Sequence, residues 1–155
     1  MHRIIAAEIQ NPNHPDRNLR ATRLLTNWGL QASLATEEIL TAVDTYRQWI
    51  EDTFKPTQQL IEVPFSHTTP DGQQATGFID HLVLTANGPV IIDHKIYPGP
   101  KSTWDETALS YSGQLALYRE VVSAAFPHDE EPKCWIHLVS HGASLNVEIS
   151  STSSP

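Results

Sequence analysis

Three residues in this chain have the type and spacing to do chemistry together: Asp80, Asp93 and Lys95. Two carboxylates offer the hard oxygen donors that Mg²⁺ or Mn²⁺ prefers. A neighbouring lysine can orient a water or offset negative charge that develops during hydrolysis. The link between them is Asn87-Gly88, a two-residue hairpin signal between two apolar runs. With that pair as the turn, Ala86 faces Pro89, Asp80 lies directly opposite Lys95, and Asp93 sits diagonally from Asp80 on the same face. Opposed Cβ atoms in such a pair are about 5 Å apart and diagonal ones about 7–8 Å, close enough for two carboxylates to meet on one cation. A register slip of two residues keeps the same face.

That face also carries Phe78, Leu82, Leu84 and Ile91, and the other carries Ile79, His81, Val83, Val90, Ile92 and His94. Both are largely apolar, so the hairpin is expected to be central and covered on both sides. Three charges on a covered face are costly unless paired or bound to metal. The plainer alternative is an Asp80–Lys95 ion pair across the strands, with Asp93 near solvent. D-x-K by itself is weak: a chain this long meets it by chance roughly every other time at average charge content. Glu131-Pro132-Lys133 is such a coincidence, beside a proline in a loop.

The elements that must hold these residues follow from the pattern. Residues 2–10 put His2, Ile5, Ala6 and Ile9 on one helical stripe. Residues 17–28 predict a second helix, with Leu24, Leu25 and Trp28 as core contacts. Thr36 reads as the N-cap of a third, with Glu37 and Glu38 in its first turn, ending near Phe54 before Pro56. Strands are predicted at 58–67, 74–86 and 89–96, with a turn at Thr69-Pro70-Asp71-Gly72. A loop at 98–103 precedes one long helix, 106–125, and two strands close the chain at 133–140 and 144–150. Helices with a central hairpin make the class α/β or α+β.

The 155 residues suit a single domain over 1–150 with a flexible tail at 151–155. One cysteine, Cys134, excludes an internal disulfide framework and a four-cysteine iron–sulfur cluster, and makes a reducing, cytoplasmic setting the default. No apolar run is long enough to span a bilayer, so no membrane role is expected. The net charge of −8 opposes tight nucleic-acid binding by this chain alone.

Gly77-Phe78-Ile79-Asp80, then Val90-Ile91-Ile92-Asp93-His94-Lys95, then Tyr111-Ser112-Gly113-Gln114-Leu115-Ala116-Leu117-Tyr118 resembles the RecB/AddA-type nuclease domain of the PD-(D/E)XK superfamily. Its pattern is G-x-x-D, D-x-K and a helix with Q-x-x-x-Y. Glu62-Val63-Pro64-Phe65 resembles the preceding strand, and His2-Arg3-Ile4-Ile5-Ala6 the N-terminal helix bearing the family's His ligand. The closing strands, around Trp135 and Val147, look like the C-terminal end of AddA-like helicase–nucleases. Two positions depart from the pattern: Ile96 stands where the family often has Thr, and the chain starts one residue before His2.

The resemblance implies a restriction-endonuclease-like fold and a metal-dependent deoxyribonuclease. Asp80 and Asp93 would hold Mg²⁺ or Mn²⁺ with His2 and the backbone carbonyl of His94, and Lys95 would act on the attacking water. Gln114 would serve near the metal or touch the DNA backbone, and Tyr118 and Lys101 are further DNA-contact candidates. Glu62 is a supporting or second-metal candidate. Tyr111 reads as a packing residue. The chain would be the C-terminal piece of a longer helicase–nuclease, with upstream helicase domains and a second nuclease/helicase subunit as partners. It would act on single-stranded DNA ends in double-strand-break processing. The alternative is a catalytically silent nuclease fold that binds DNA or a partner.

Overall fold

The computed structural model describes residues 2–27, 29, 35–69 and 72–149, without the side chains of His2 and Arg3. Trp28, parts of the Pro70-Asp71 turn and the tail from Ser150 on lie outside the described residues. The chain divides into two compact units, Met1–Lys55 and Pro56–Pro155.

The first unit holds three helices, α1 (His2–Gln10), α2 (Arg17–Asn27) and α3 (Thr36–Phe54). Its buried apolar side chains are Ile4, Ile5 and Ala6, then Ala21 and Leu25, then Ile39, Leu40, Val43, Tyr46 and Ile50. The inner stripe of α1 is thus rotated from the expected one, with Glu8 buried in place of Ile9. Burying a carboxylate requires a partner. Arg17 supplies it, with Nε at 2.8 Å from Glu8 and the rest of its guanidinium on Asp44. Ala35, not Thr36, is the N-cap of α3, and Thr36 is its first helical residue. The helix ends at Lys55, whose left-handed backbone returns its N–H to Glu51 O ahead of Pro56.

The second unit is built on a five-stranded mixed sheet in the order β1 (Gln58–Thr68), β2 (Gln74–Thr85), β3 (Gly88–Lys95), β4 (Lys133–Leu138), β5 (Ala143–Val147). Only the β3–β4 pair is parallel, and the crossover between them carries α4 (Trp104–Ser110) and α5 (Ser112–Ala125) after a short 3₁₀ turn. The long helix expected at 106–125 is therefore two. Tyr111 breaks it with φ −93° and ψ 4°, beside Ser112 and Gly113, both weak helix formers. On α5, Leu115, Tyr118 and Val122 are buried against Leu82, Ile91, Cys134, Ile136 and Leu138 of the sheet. Burial pushes the Cys134 thiol up to about 11, which makes it a packing group.

Two sequence-based expectations for the hairpin need correction. The turn is Ala86-Asn87, and Thr85 pairs with Gly88. Gly88 takes the positive φ of 102°, while Thr85 Oγ1 accepts the Asn87 N–H and bonds Gly88 O. This places the left-handed residue after the turn pair, the three-residue hairpin solution in place of the primed two-residue one. The ladder runs to His81↔Ile92, so the register slips by two and Asp80 falls opposite Asp93, not Lys95.

The second correction concerns the faces. Phe78 is 61% exposed, while Ile79 is buried in the same core as Leu82. Strict alternation would separate Ile79 from Leu82. On β1, Leu60 and Val63 likewise share that core. Both strands reset at the one position where their pairing is interrupted, between Ile61↔His81 and Val63↔Ile79. Glu62 sits there with φ 50°, a left-handed residue inside a strand. We expect Glu62→Gly to be nearly neutral in urea unfolding, since relief of strain offsets lost chain stiffness. Glu62→Val should lower stability by about 1–2 kcal/mol, because a β-branched side chain is least tolerated there. Equal stability of Val and wild type would remove this backbone angle as the cause of the reset.

Candidate active site

The core face of β3 is apolar at one end and charged at the other. Ile91 is fully buried, Asp93 is 2% exposed, and Lys95 lies one alternation further, at the strand end. Parallel pairing sets Asp93 beside Ile136 and Lys95 beside Leu138, both buried. The Asp93 carboxylate is thus held in an apolar wall, and its counter-charge is Lys95, with Nζ 2.7 Å from Oδ2. The ion pair that the plainer reading assigned to Asp80 belongs to Asp93.

Asp80 arrives from β2 just beyond the last paired rung. Instead of extending the ladder, its Oδ2 accepts the backbone N–H of His94 at 2.8 Å. The carboxylate thereby replaces a backbone acceptor and is fixed beside Asp93. The reset at Glu62 and Asp80 is what allows β2 to turn a side chain into a place where regular pairing would put a carbonyl. Glu62, level with Asp80 on the neighbouring strand, is exposed.

Helix α5 closes the site from the other side. Gln114 Oε1 accepts from Lys95 Nζ at 3.1 Å, and its Nε2 donates to the Tyr118 hydroxyl at 2.7 Å. Tyr118 is 6% exposed and stacks edge-on against Phe65. Burial, then the Asp93 charge, raises the phenol above its usual range, so it stays protonated. Tyr111 meets the same lysine, with Nζ 4.5 Å from its ring centroid. The sequence reading gives Tyr111 packing, on the face it shares with Gln114 and Tyr118 in the expected long helix; the structure puts it at the N-cap of α5, where its ring still reaches Lys95.

The remaining candidates are placed as follows. Lys101 is exposed at the start of the 3₁₀ turn after β3 (Lys101–Thr103), with Nζ 5.9 Å from the Trp104 ring centroid. His2 opens α1 in the other unit, and its side chain is outside the described residues. The His94 side chain points away from the carboxylates: its Nδ1 is 2.9 Å from His137 Nδ1, and its ring is 6.5 Å from that of His81. Burial, and then the nearby His137, pushes His81 down to about 3, so it is held neutral. These histidines form the buried polar lining of the opposite sheet face.

As a cation site the donors are two carboxylates, one of them buried. Among the described residues no group of three or more His, Cys, Asp or Glu side chains could hold a metal. A carboxylate pair suits an ion that completes its shell with waters and carbonyl oxygens, as Mg²⁺ does. Among the described residues no helix is long and apolar enough to cross a membrane.

No curated protein matches the chain. A family model does, that of the PD-(D/E)XK nuclease superfamily, over residues 1–148. That span includes every element described above. The mixed sheet, with carboxylates at the end of a central hairpin and the lysine two residues after the second, is the restriction-endonuclease-like core. On the strength of that match, the chain belongs to the PD-(D/E)XK nuclease superfamily.

Proposed function

We propose that this chain is a Mg²⁺- or Mn²⁺-dependent deoxyribonuclease that hydrolyses phosphodiester bonds at single-stranded DNA ends. The observation that carries the reading is the meeting of Asp80, Asp93 and Lys95 at one end of the sheet, with Asp80 locked to the His94 N–H. Asp80 and Asp93 hold the cation, together with the His94 carbonyl. The bound cation lowers the pKa of water and neutralises charge on the phosphoryl group. Lys95 orients the attacking water or stabilises the phosphate oxygens as charge builds. Gln114 fixes Lys95 and is itself fixed by Tyr118, which is too buried for the DNA contact expected from sequence and acts as a support. Lys101, exposed after β3, is assigned a contact to a phosphate further along the strand.

Most acidic side chains lie after residue 55, where the basic ones are Lys95, Lys101, Arg119 and Lys133. Arg119 is engaged with Glu131. The grip on DNA is therefore assigned mainly to partners: upstream helicase domains and a second nuclease/helicase subunit of the RecB/AddA kind, in double-strand-break processing and recombinational repair. His2 remains a candidate further ligand in this reading.

The test uses end-labelled single-stranded and duplex DNA at low salt, where phosphate contacts are strongest. A small phosphodiester that needs no DNA grip is assayed beside them. Cleavage is expected with Mn²⁺ or Mg²⁺ and none in chelator, with products released from an end. Failure on every substrate with Mn²⁺ would sink the enzyme and leave the silent binding module.

A further inference from the structure

We propose that Tyr111 is a positioning residue whose ring holds the Lys95 ammonium in its working place; the inference rests on the nuclease reading above. Among the described residues, Lys95 meets the Asp93 carboxylate at 2.7 Å, the Gln114 amide oxygen at 3.1 Å and the Tyr111 ring centroid at 4.5 Å. The first is shared, because Asp93 also serves the cation. The second hangs on Tyr118. The ring is the holder that neither competes for the metal nor depends on a directional hydrogen bond, since a cation is attracted to the whole π face within about 6 Å. Its Cα is anchored. Tyr111 sits at the break between α4 and α5, its N–H on Ala108 O and its carbonyl accepting Leu115 N–H at 3.0 Å. Another such pair, Lys101 over Trp104, is looser at 5.9 Å and on an exposed lysine. The contact uses the ring and not the hydroxyl, so phenylalanine should serve as well.

The experiment compares Tyr111→Phe and Tyr111→Leu by NMR and by kinetics. The chain has only Lys55, Lys95, Lys101 and Lys133, so ¹³Cε-lysine labelling gives few signals, and Lys95→Arg identifies the one needed. In wild type and Tyr111→Phe the Lys95 ε protons should be shifted upfield by the ring, and in Tyr111→Leu the shift should vanish. Turnover of DNA should fall about 3- to 30-fold in kcat for Tyr111→Leu with KM unchanged, and stay within about twofold for Tyr111→Phe. A Leu variant with wild-type kcat, or a Phe variant that falls as far as Leu, overturns the proposal. So does a wild-type Lys95 signal without a ring shift. If Leu does not fold, Tyr111→Met, a flexible apolar filler, takes its place. A wild-type chain that cuts nothing refutes the nuclease reading, and the Lys95 signal then decides the contact alone.

Discussion

Lys95→Ala should lower kcat for phosphodiester cleavage by about 10²- to 10⁴-fold, the range for losing one preorganised group that acts on developing charge or on a proton in flight. The expected loss is in turnover, because the grip on DNA is assigned mainly to partners and Lys95 to the reacting phosphate. A second effect must be separated from it. Lys95 is the counter-charge of Asp93, whose side chain is 3% exposed. Removing one partner of a buried pair leaves an uncompensated charge and costs about 3–5 kcal/mol, a large share of a typical 5–15 kcal/mol stability. The single variant should therefore melt early as well as cut slowly. The double variant Asp93→Asn/Lys95→Met removes both charges and keeps the volume, so its stability should recover most of the deficit. Its activity should not recover at all. Thermal melts and single-turnover rates on the same samples check this. If Lys95→Ala keeps more than about a tenth of wild-type kcat while folded, the lysine is a structural ion-pair partner and no catalytic group.

The sequence carried the elements more faithfully than their joints. Periodicity located all three N-terminal helices and all five strands, because amphipathic patterns report burial directly. It misjudged the hairpin register, since Asn87-Gly88 is compatible with two loops and the choice was made by Thr85, whose hydroxyl closes the turn from outside the two-residue signal. It misjudged Phe78 and Ile79 because alternation assumes an unbroken strand. The left-handed backbone of Glu62 that breaks it has no signature in residue type, as it would with a glycine. The break in the long helix is marked only by Ser112-Gly113, which a helix can also carry at a cost of about 1 kcal/mol.

At the site, the shared face of Asp93 and Lys95 was legible from spacing, and it tolerated the register error because a slip of two preserves the face. The true partner of Lys95 was not legible. Whether a lysine turns to the carboxylate across the strand or to the one two residues back depends on where β2 ends its ladder. That end is set by the Asp80–His94 contact, a tertiary fact. Gln114 and Tyr118 came from motif likeness. Their mutual bond follows from helical spacing of four.

Binding of Mn²⁺ should depend on Asp80 and Asp93 and not on Lys95. Each carboxylate is a charged oxygen donor, and affinity for hard cations follows ligand charge. Asp80→Asn and Asp93→Asn should each weaken Mn²⁺ binding at least about tenfold by calorimetry, since losing a direct ligand costs no less than losing an outer-shell partner of one. Lys95→Met should behave oppositely. Its ammonium rests 2.7 Å from Asp93 Oδ2, on the carboxylate the cation needs. Taking that positive charge away removes a competitor and a like-charge neighbour, so Mn²⁺ should bind as tightly as in wild type or more so, while cleavage is lost. This opposition separates the two roles where activity cannot, because every one of these variants is expected to cut poorly. Anomalous scattering from a Mn²⁺-soaked crystal should place the ion between the two carboxylates. An isotherm unchanged by Asp80→Asn and by Asp93→Asn would take the metal away from this pair, and with it the assignment of the D-x-K hairpin as the catalytic centre.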